Sequence, residues 1–471
     1  MAEKPVPLFV DLDTTLTLAD VTVETMFAYA KSGIIPLLRL LCWLTRGRAF
    51  AKAMVARVMP VEPATLPWRQ TVLDAIATAR AAGRPVILAS ASHHRNITRV
   101  ARHLGIFDAI IASSAKTNAK GKGKLIRILA MTNGGPFDYI GDAAADVPLW
   151  NAAREGISVG YCPSGVTRLG DAPPSKWRSL AKAMRPHQWA KNALIFVPLA
   201  TAGLLTDYTA LGRAALATLL FSLVASGVYL VNDAFDIEAD RSHATKHKRP
   251  LAAGLISLPF GLGMAALLMT LPILAGCGAL GSNFAAVLAA YLLLTTAYSM
   301  RLKAVMTLDV ITLACLYTIR IFAGAVAVGV VVSFWLLAFS VFLFLSLAYL
   351  KRYTELANAK QPERLLSGRG YLPEDLDIVA IAGVSSGMVS ILVLALFSNA
   401  MGQSAAYKTP QLLWLLCILL LYWINRVWMM ARRGQVEGDP VAFATKDPRS
   451  IVIAALMGIV VLAAQTIRIG G

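Results

Sequence analysis

The stretch NDAFDIEADRSHATKHKRPLAAG, residues 232–254, places Asp233, Asp236 and Asp240 ahead of Lys246, Lys248 and Arg249. If the preceding helix continues, the three acids stand at i, i+3 and i+7 on one face, with Asn232 one turn before Asp236. Carboxylates crowded in this way repel unless a cation lies among them. Hard oxygen ligands favour Mg2+, which takes one or two carboxylates and completes its shell with water and substrate phosphate. The basic residues that follow are placed to hold the remaining phosphate charge. A solvated acidic turn beside a basic loop is the plain alternative. A second stretch, DLDTT, sets Asp11 and Asp13 directly after an apolar run. Ser90 at the end of VILAS, Lys124 in KGKGKLIRIL, and Asp142 and Asp146 in GDAAAD follow in order.

The elements that must position these residues divide near Lys176. Before it, PLFVDL, PVILAS, DAIIAS, FDYIG and ISVG alternate with helical stretches, the rhythm of a parallel α/β sheet. PSGVTRLGDAPPSKWRSL then reads as a linker, giving domains 1–165 and 185–471 joined by 166–184. Nine apolar segments follow, roughly 190–207, 213–231, 255–279, 283–300, 308–329, 331–349, 377–397, 410–430 and 451–469. With 57% hydrophobic and 15% charged residues, the 471-residue chain is too apolar for an ordinary soluble protein. The net charge is +18, and the Lys and Arg of the membrane part collect in the connections after even-numbered segments, leaving Arg213, Lys408 and Arg468 on the other side. The charge therefore reads as topology, with the first domain cytosolic, the C-terminus external and no nucleic acid partner. No secretory signal opens the chain, and five cysteines without metal spacing read as packing thiols. Arg320 lies mid-segment in CLYTIRIFAGA, where an unpaired Arg costs roughly 2.5–3.5 kcal/mol. Either it faces a cavity and contacts phosphate, or backbone carbonyls satisfy it between helices.

From about Lys182 onward, the sequence resembles the UbiA superfamily of intramembrane prenyltransferases, whose first aspartate-rich motif has the form NDxxDxxxD. RPHQWAKN (185–192), YSMRLK (298–303) and KRYTEL (351–356) narrow the resemblance to the branch making polyprenyl-phosphoryl phosphoribose. It implies nine membrane helices around a cytosol-facing cavity in a bacterial inner membrane, with Mg2+ at Asp233, Asp236 and Asp240. The implied reaction moves 5-phosphoribose from phosphoribosyl diphosphate to a polyprenyl phosphate such as decaprenyl phosphate. Arg185, Lys191, Asn192, Asn232, Tyr298, Lys303, Lys351 and Arg352 join Lys246, Lys248, Arg249 and Arg320 as expected substrate contacts. The connection YSMRLKAVMTLD holds one acid, Asp309, beside Arg301 and Lys303. One acidic cluster opposed by several cations suits two phosphate-bearing substrates. The alternative is prenylation of an aromatic acceptor by a prenyl diphosphate, with a phosphatase of unrelated substrate.

Residues 5–165 resemble the haloacid dehalogenase superfamily through DxDxT and the ordered residues after it. This implies a Rossmann-like α/β fold in which Asp11 is the nucleophile and Asp13 the acid and base. Ser90 and Lys124 would bind the phosphoryl group, and Asp11, Asp13 and Asp142 would hold Mg2+ with Asp146 in support. Ser92 and Lys122 are rival assignments, and His93 and His94 read as surface histidines. Between Asp20 and Leu66 lies the short apolar GIIPLLRLLCWLTRGR, which fits a cap, a helix on the bilayer surface or a core helix. A transporter would put its ionisable groups at the membrane midplane on interrupted helices, not in a cytosolic loop. A scaffold with a degenerate phosphatase domain is the remaining alternative. The sequence does not set the oligomeric state.

Overall fold

Apolar residues alternate along the strands, so each strand feeds a core on either face. β1 (Leu8–Val10) sends Leu8 and Val10 into a cluster with Ile76, Leu88 and Ile97, while Phe9 joins Ile87, Phe137 and Tyr139 on the other side. The computed structural model describes residues 5–114, 120–172, 174–358, 370–401, 407–436 and 438–468. The insert after β1 is helical: α1 (Val21–Lys31), α2 (Ile34–Thr45) and α3 (Arg48–Val58). Then come α4 (Gln70–Ala81), β2 (Val86–His93), α5 (His94–Leu104), β3 (Ala109–Ser113), α6 (Lys122–Thr132), β4 (Asp138–Gly141), α7 (Val147–Trp150) and β5 (Glu155–Ser158). With β6 (Thr167–Arg168), the strands form one parallel sheet in the order β3-β2-β1-β4-β5-β6. Val10 pairs with Leu88 and Ile140, so Asp11, Ser90 and Asp142 emerge within two residues of one another at the carboxyl edge. The strand order reverses there, which is where such sheets bind ligands.

Two expectations need amendment in this region. The stretch read as a linker contains β6 and α8 (Lys176–Ala183), with Leu180 and Ala183 buried. Two strand residues and a two-turn helix are too short to leave a periodic signal. The insert does not supply a core helix: α2 buries Leu40 and leaves Ile34, Ile35, Leu38 and Leu41 exposed.

The chain forms two compact units, 1–183 with 230–264, and 184–229 with 265–471. The helices after α8 are α9 (Val197–Thr201), α10 (Tyr208–Phe235), α11 (Ile237–Arg241), α12 (Leu258–Leu280), α13 (Ser282–Met300), α14 (Leu308–Val328), α15 (Phe334–Ala357), α16 (Leu376–Met401), α17 (Trp414–Arg432), α18 (Pro440–Ala444) and α19 (Pro448–Thr466). Among the described residues, eight helices are long and apolar enough to cross a membrane: α10, α12 to α17 and α19. The first expected segment, 190–207, is broken into a 3-10 stretch, Pro186–Phe196, and the short α9. Pro198, which has no N–H to donate, falls at the junction of the two pieces, and Asn192 is buried within the first. The broken segment packs closely, since a Cβ at Gly324 of α14 would fall 2.0 Å from the Ile195 carbonyl oxygen. Small residues permit such backbone approach between membrane helices.

Candidate active sites

The first site forms where β1, β2 and β4 end. Asp11 follows β1, and its Oδ2 accepts a hydrogen bond from Lys124 Nζ at 2.7 Å. Asp142, after β4, accepts from Thr14 Oγ1 at 2.6 Å and Thr15 Oγ1 at 2.9 Å. Thr14 has a left-handed φ of 59°, a strained conformation held by the turn, and Arg69 donates to the carbonyls of both threonines at 3.0 Å. Asp146 caps the turn behind Asp142, accepting from the Asp142 and Ala143 N–H groups at 3.3 and 3.2 Å. A cavity of about 480 Å³ opens over these groups, lined also by Arg48, Lys52 and Lys120.

Three carboxylates, Asp11, Asp142 and Asp146, bring oxygens within 4.8 Å of one another, the one such group among the described residues. Burial pushes the Asp11 carboxyl up to about 6, against the pull of Lys124. Burial likewise pushes Asp142 up to about 6, against its threonine hydrogen bonds. Crowded, half-dry acids of this kind fit a divalent cation with oxygen preference. Asp13 lies outside this group, because its carboxylate is used elsewhere. It accepts from Ser90 Oγ at 2.9 Å, Ser92 Oγ at 2.7 Å and the Val21 N–H at 2.8 Å. Burial raises its pKa, which suits a proton donor. Ser90 and Ser92 both touch Asp13, so this geometry leaves their rivalry open. Lys124, by contrast, is buried against Asp11, whereas Lys122 is partly exposed at the start of α6.

Two residues were not legible here. Tyr139 accepts from Lys124 Nζ at 2.8 Å and donates to Asp146 Oδ1 at 2.9 Å, tying two site residues together from within β4. An aromatic inside a strand reads as core, and only its place two residues before Gly141 hinted otherwise. His93 is buried, not on the surface. β2 runs three residues past Ser90 and carries His93 in to cap α5, where burial lowers its pKa to about 4.

The raised carboxyl pKa values predict a pH effect. Relative to an ordinary 3.8, Asp11 and Asp142 are shifted up to about 6, so the stability they contribute is complete below about 3.8 and is lost as pH rises through about 6. With chelator present, the first thermal transition of the solubilised protein should fall between pH 5 and pH 7. Mg2+ added at pH 7 should raise it again. A transition independent of both pH and Mg2+ would contradict the cation assignment.

The aspartate-rich motif also belongs to the first unit. α10 ends at Phe235 and α11 begins at Ile237, with Asp236 at the kink. The Asp240 N–H bonds the Asp236 carbonyl at 2.8 Å across the break, but the three acids do not share one face. Buried Asp233 and Asp240 converge on Arg249 Nη1 at 3.1 and 2.7 Å, whereas Asp236 is exposed and Asn232 half-buried. Two carboxylates meeting at one positive charge mark a position that a divalent cation also fits. Lys246 and Lys248 stand exposed on the following turn.

The second unit holds the other expected contacts. Lys191 Nζ reaches Asp439 Oδ2 at 2.7 Å, and Lys351 Nζ lies 3.6 Å from the same oxygen. Asp439 was missed: it follows the eighth apolar segment, and its partner Lys191 is 248 residues away in sequence. Burial opposes its charge, but Lys191 and Lys351 hold its pKa down to about 2. Arg320 is satisfied within the helices. It donates through Nε to Asn192 Oδ1 at 2.8 Å and through Nη1 to the Leu316 carbonyl, and Phe221, Tyr291 and Tyr317 surround its guanidinium. Arg352 is fully buried, ion-paired to Asp309 at 2.6 Å and to Glu355, so it braces α14 against α15. Tyr298 lies 3.5 Å from Arg352, Arg185 packs over the Tyr229 ring, and Lys303 is half-buried after α13.

The sequence pattern of the UbiA prenyltransferase family matches residues 193–446, and that of haloacid dehalogenase-like hydrolases matches residues 8–150. The protein y4nM of Sinorhizobium fredii is 37% identical, over 97% of this chain and 90% of its own. The nodulation protein NoeC of Azorhizobium caulinodans is 35% identical, over 60% of this chain and 92% of its own. The decaprenyl-phosphate phosphoribosyltransferase of Mycobacterium tuberculosis is 39% identical, over 40% of this chain and 64% of its own.

Proposed function

The chain belongs to the UbiA prenyltransferase family, with a haloacid dehalogenase-like domain ahead of its membrane helices, and from that premise we propose that it makes a lipid-linked ribose in two steps. The membrane domain transfers 5-phosphoribose from phosphoribosyl diphosphate to a polyprenyl phosphate, and the N-terminal domain removes the 5-phosphate. The reading rests chiefly on cations beside the acids within each unit: Lys246, Lys248 and Arg249 after Asp233, Asp236 and Asp240 in the first, and Lys191 and Lys351 beside Asp439 in the second. Phosphate-bearing substrates call for such cations; an aromatic acceptor does not. The named activity of the mycobacterial relative supports the same choice.

Asp233, Asp236 and Asp240 would hold Mg2+, which when bound would supply charge neutralisation for a diphosphate leaving group. Lys246, Lys248 and Arg249 hold further phosphate charge. C1 of the ribose becomes oxocarbenium-like as its bond to diphosphate breaks, and an anionic oxygen of the lipid phosphate forms the new bond. That oxygen carries no proton at neutral pH, so the step requires no general base. In the phosphatase site, Asp11 attacks phosphorus while Asp13 protonates the departing ribose oxygen. Asp13 then takes a proton from the water that opens the aspartyl-phosphate. Lys124 balances charge on the phosphoryl group, and Asp11 and Asp142 would hold Mg2+, which would supply further balancing charge. The positive-inside pattern supports a cytosolic side for the aspartate-rich motif and the phosphatase.

Membranes containing the protein, given labelled phosphoribosyl diphosphate, decaprenyl phosphate and Mg2+, should yield decaprenyl-phosphoryl ribose by mass. The same membranes given 4-hydroxybenzoate and a polyprenyl diphosphate should yield no prenylated acid. Prenylated acid without ribosylated lipid would transfer the assignment to aromatic prenylation.

A further inference from the structure

Within the first unit, α1 touches both the phosphatase site and the aspartate-rich motif. At its start, the Val21 N–H bonds Asp13 at 2.8 Å, and Thr22 Oγ1 lies 2.7 Å from the Ser92 hydroxyl that also contacts Asp13. One turn on, Glu24 receives Arg241 in a two-pronged pair, Nη1 to Oε2 at 2.8 Å and Nη2 to Oε1 at 2.7 Å. Arg241 Nε donates to the Ala252 carbonyl at 2.9 Å, and the paired side chains are only 6% and 15% exposed. Further along α1, Phe27 packs edge-on against Phe235 with centroids 5.5 Å apart, and Lys31 Nζ donates to the Phe235 carbonyl at 2.9 Å. At the far end of the loop, Gly254 has a φ of 70°, and a Cβ there would lie 2.5 Å from Leu18 Cβ. Residues 18–31 therefore grip the motif at Phe235, Arg241 and Gly254.

We propose that Glu24 and Arg241 are positioning residues for the transferase: the phosphatase domain's first helix holds the aspartate-rich loop in the shape that brings Asp233 and Asp240 together. This rests on the reading of that motif as the transferase's cation site. Arg241 directly follows Asp240, so its anchoring fixes the final carboxylate of the set. A planar two-pronged pair in a largely dry setting fixes orientation as well as distance. Removing one partner leaves the other charge buried without compensation. Neither residue contacts Asp11, Asp142 or Lys124 in the hydrogen bonds and ion pairs above.

The test compares full-length wild type, Glu24→Gln, Arg241→Gln and the exchanged pair Glu24→Arg with Arg241→Glu, in detergent. Each single variant should need at least about tenfold more Mg2+ for half-maximal phosphoribosyl transfer, while hydrolysis of p-nitrophenyl phosphate stays within about twofold of wild type. Tryptic cleavage after the exposed Lys246 and Lys248 should quicken in the single variants. The exchanged pair should recover wild-type cleavage and Mg2+ response in large part. Unchanged cleavage in both single variants overturns the grip itself. Faster cleavage with an unchanged Mg2+ response overturns the positioning role. If wild type transfers no phosphoribose, the motif reading fails, yet the cleavage pattern still decides whether the grip exists.

Discussion

Asp11→Asn should leave the lipid product 5-phosphorylated, with hydrolysis of the 5-phosphate reduced at least ~10³-fold. Asn has nearly the same shape as Asp, and the Lys124 contact can persist through its amide oxygen, so the loss reports chemistry. The neutral amide is a poor nucleophile towards phosphorus and cannot form the acyl phosphate. It also removes one of the three carboxylates clustered with Asp142 and Asp146. Transfer should continue, so 5-phosphoribosylated lipid should accumulate where wild type gives ribosylated lipid. Mass spectrometry of lipid extracts separates the two by one phosphate. Identical 5-phosphorylated products from both proteins would show that the phosphatase serves another substrate.

Asp233→Asn and Asp240→Asn should each lower phosphoribosyl transfer by about 10²–10³-fold, with p-nitrophenyl phosphate hydrolysis retained as evidence of folding. Both carboxylates are 2% exposed and share Arg249, so loss of either unbalances a buried charge set. Asp236 is exposed at the kink between α10 and α11, where it can reach solvent-borne cation without rearranging a core. Asp236→Asn should therefore lower transfer with less effect on stability than the other two. Transfer at the wild-type rate in all three variants would remove the cation role from the motif.

What the sequence revealed was local. Short apolar runs marked β1 to β5, and long apolar runs marked α10, α12 to α17 and α19, because burial on both faces or all round is written into neighbouring residues. The ordered acids after β1 and β4 disclosed the phosphatase site because the strand ends come together by topology. Long-range pairing left no such trace. Asp439 gains its meaning from Lys191 and Lys351, and nothing in EGDP announces them. Arg352 reads as a phosphate ligand by position in KRYTEL, yet Asp309 claims it in the fold. Arg320 meets Asn192, the Leu316 carbonyl and three aromatic rings, and of these Asn192, Phe221 and Tyr291 lie far away in sequence. The segment at 190–207 shows the limit of hydropathy: its composition suits a span, but it is split into two short pieces with Pro198 at their junction.

The first unit draws on two stretches of chain, 1–183 and 230–264, and this imposes an order on its biosynthesis. Most of α10, an apolar span, lies between them and leaves the ribosome before the second stretch does. At 5–20 residues per second, the interval between the two stretches is about 2–9 seconds. Through that interval the nascent sheet is complete, but Glu24 lacks Arg241, and Leu18 lacks the glycine that closes over it. The first unit thus reaches its final form only after α10 has been made, and until then the face of α1 that carries Glu24 and Phe27 stays uncovered.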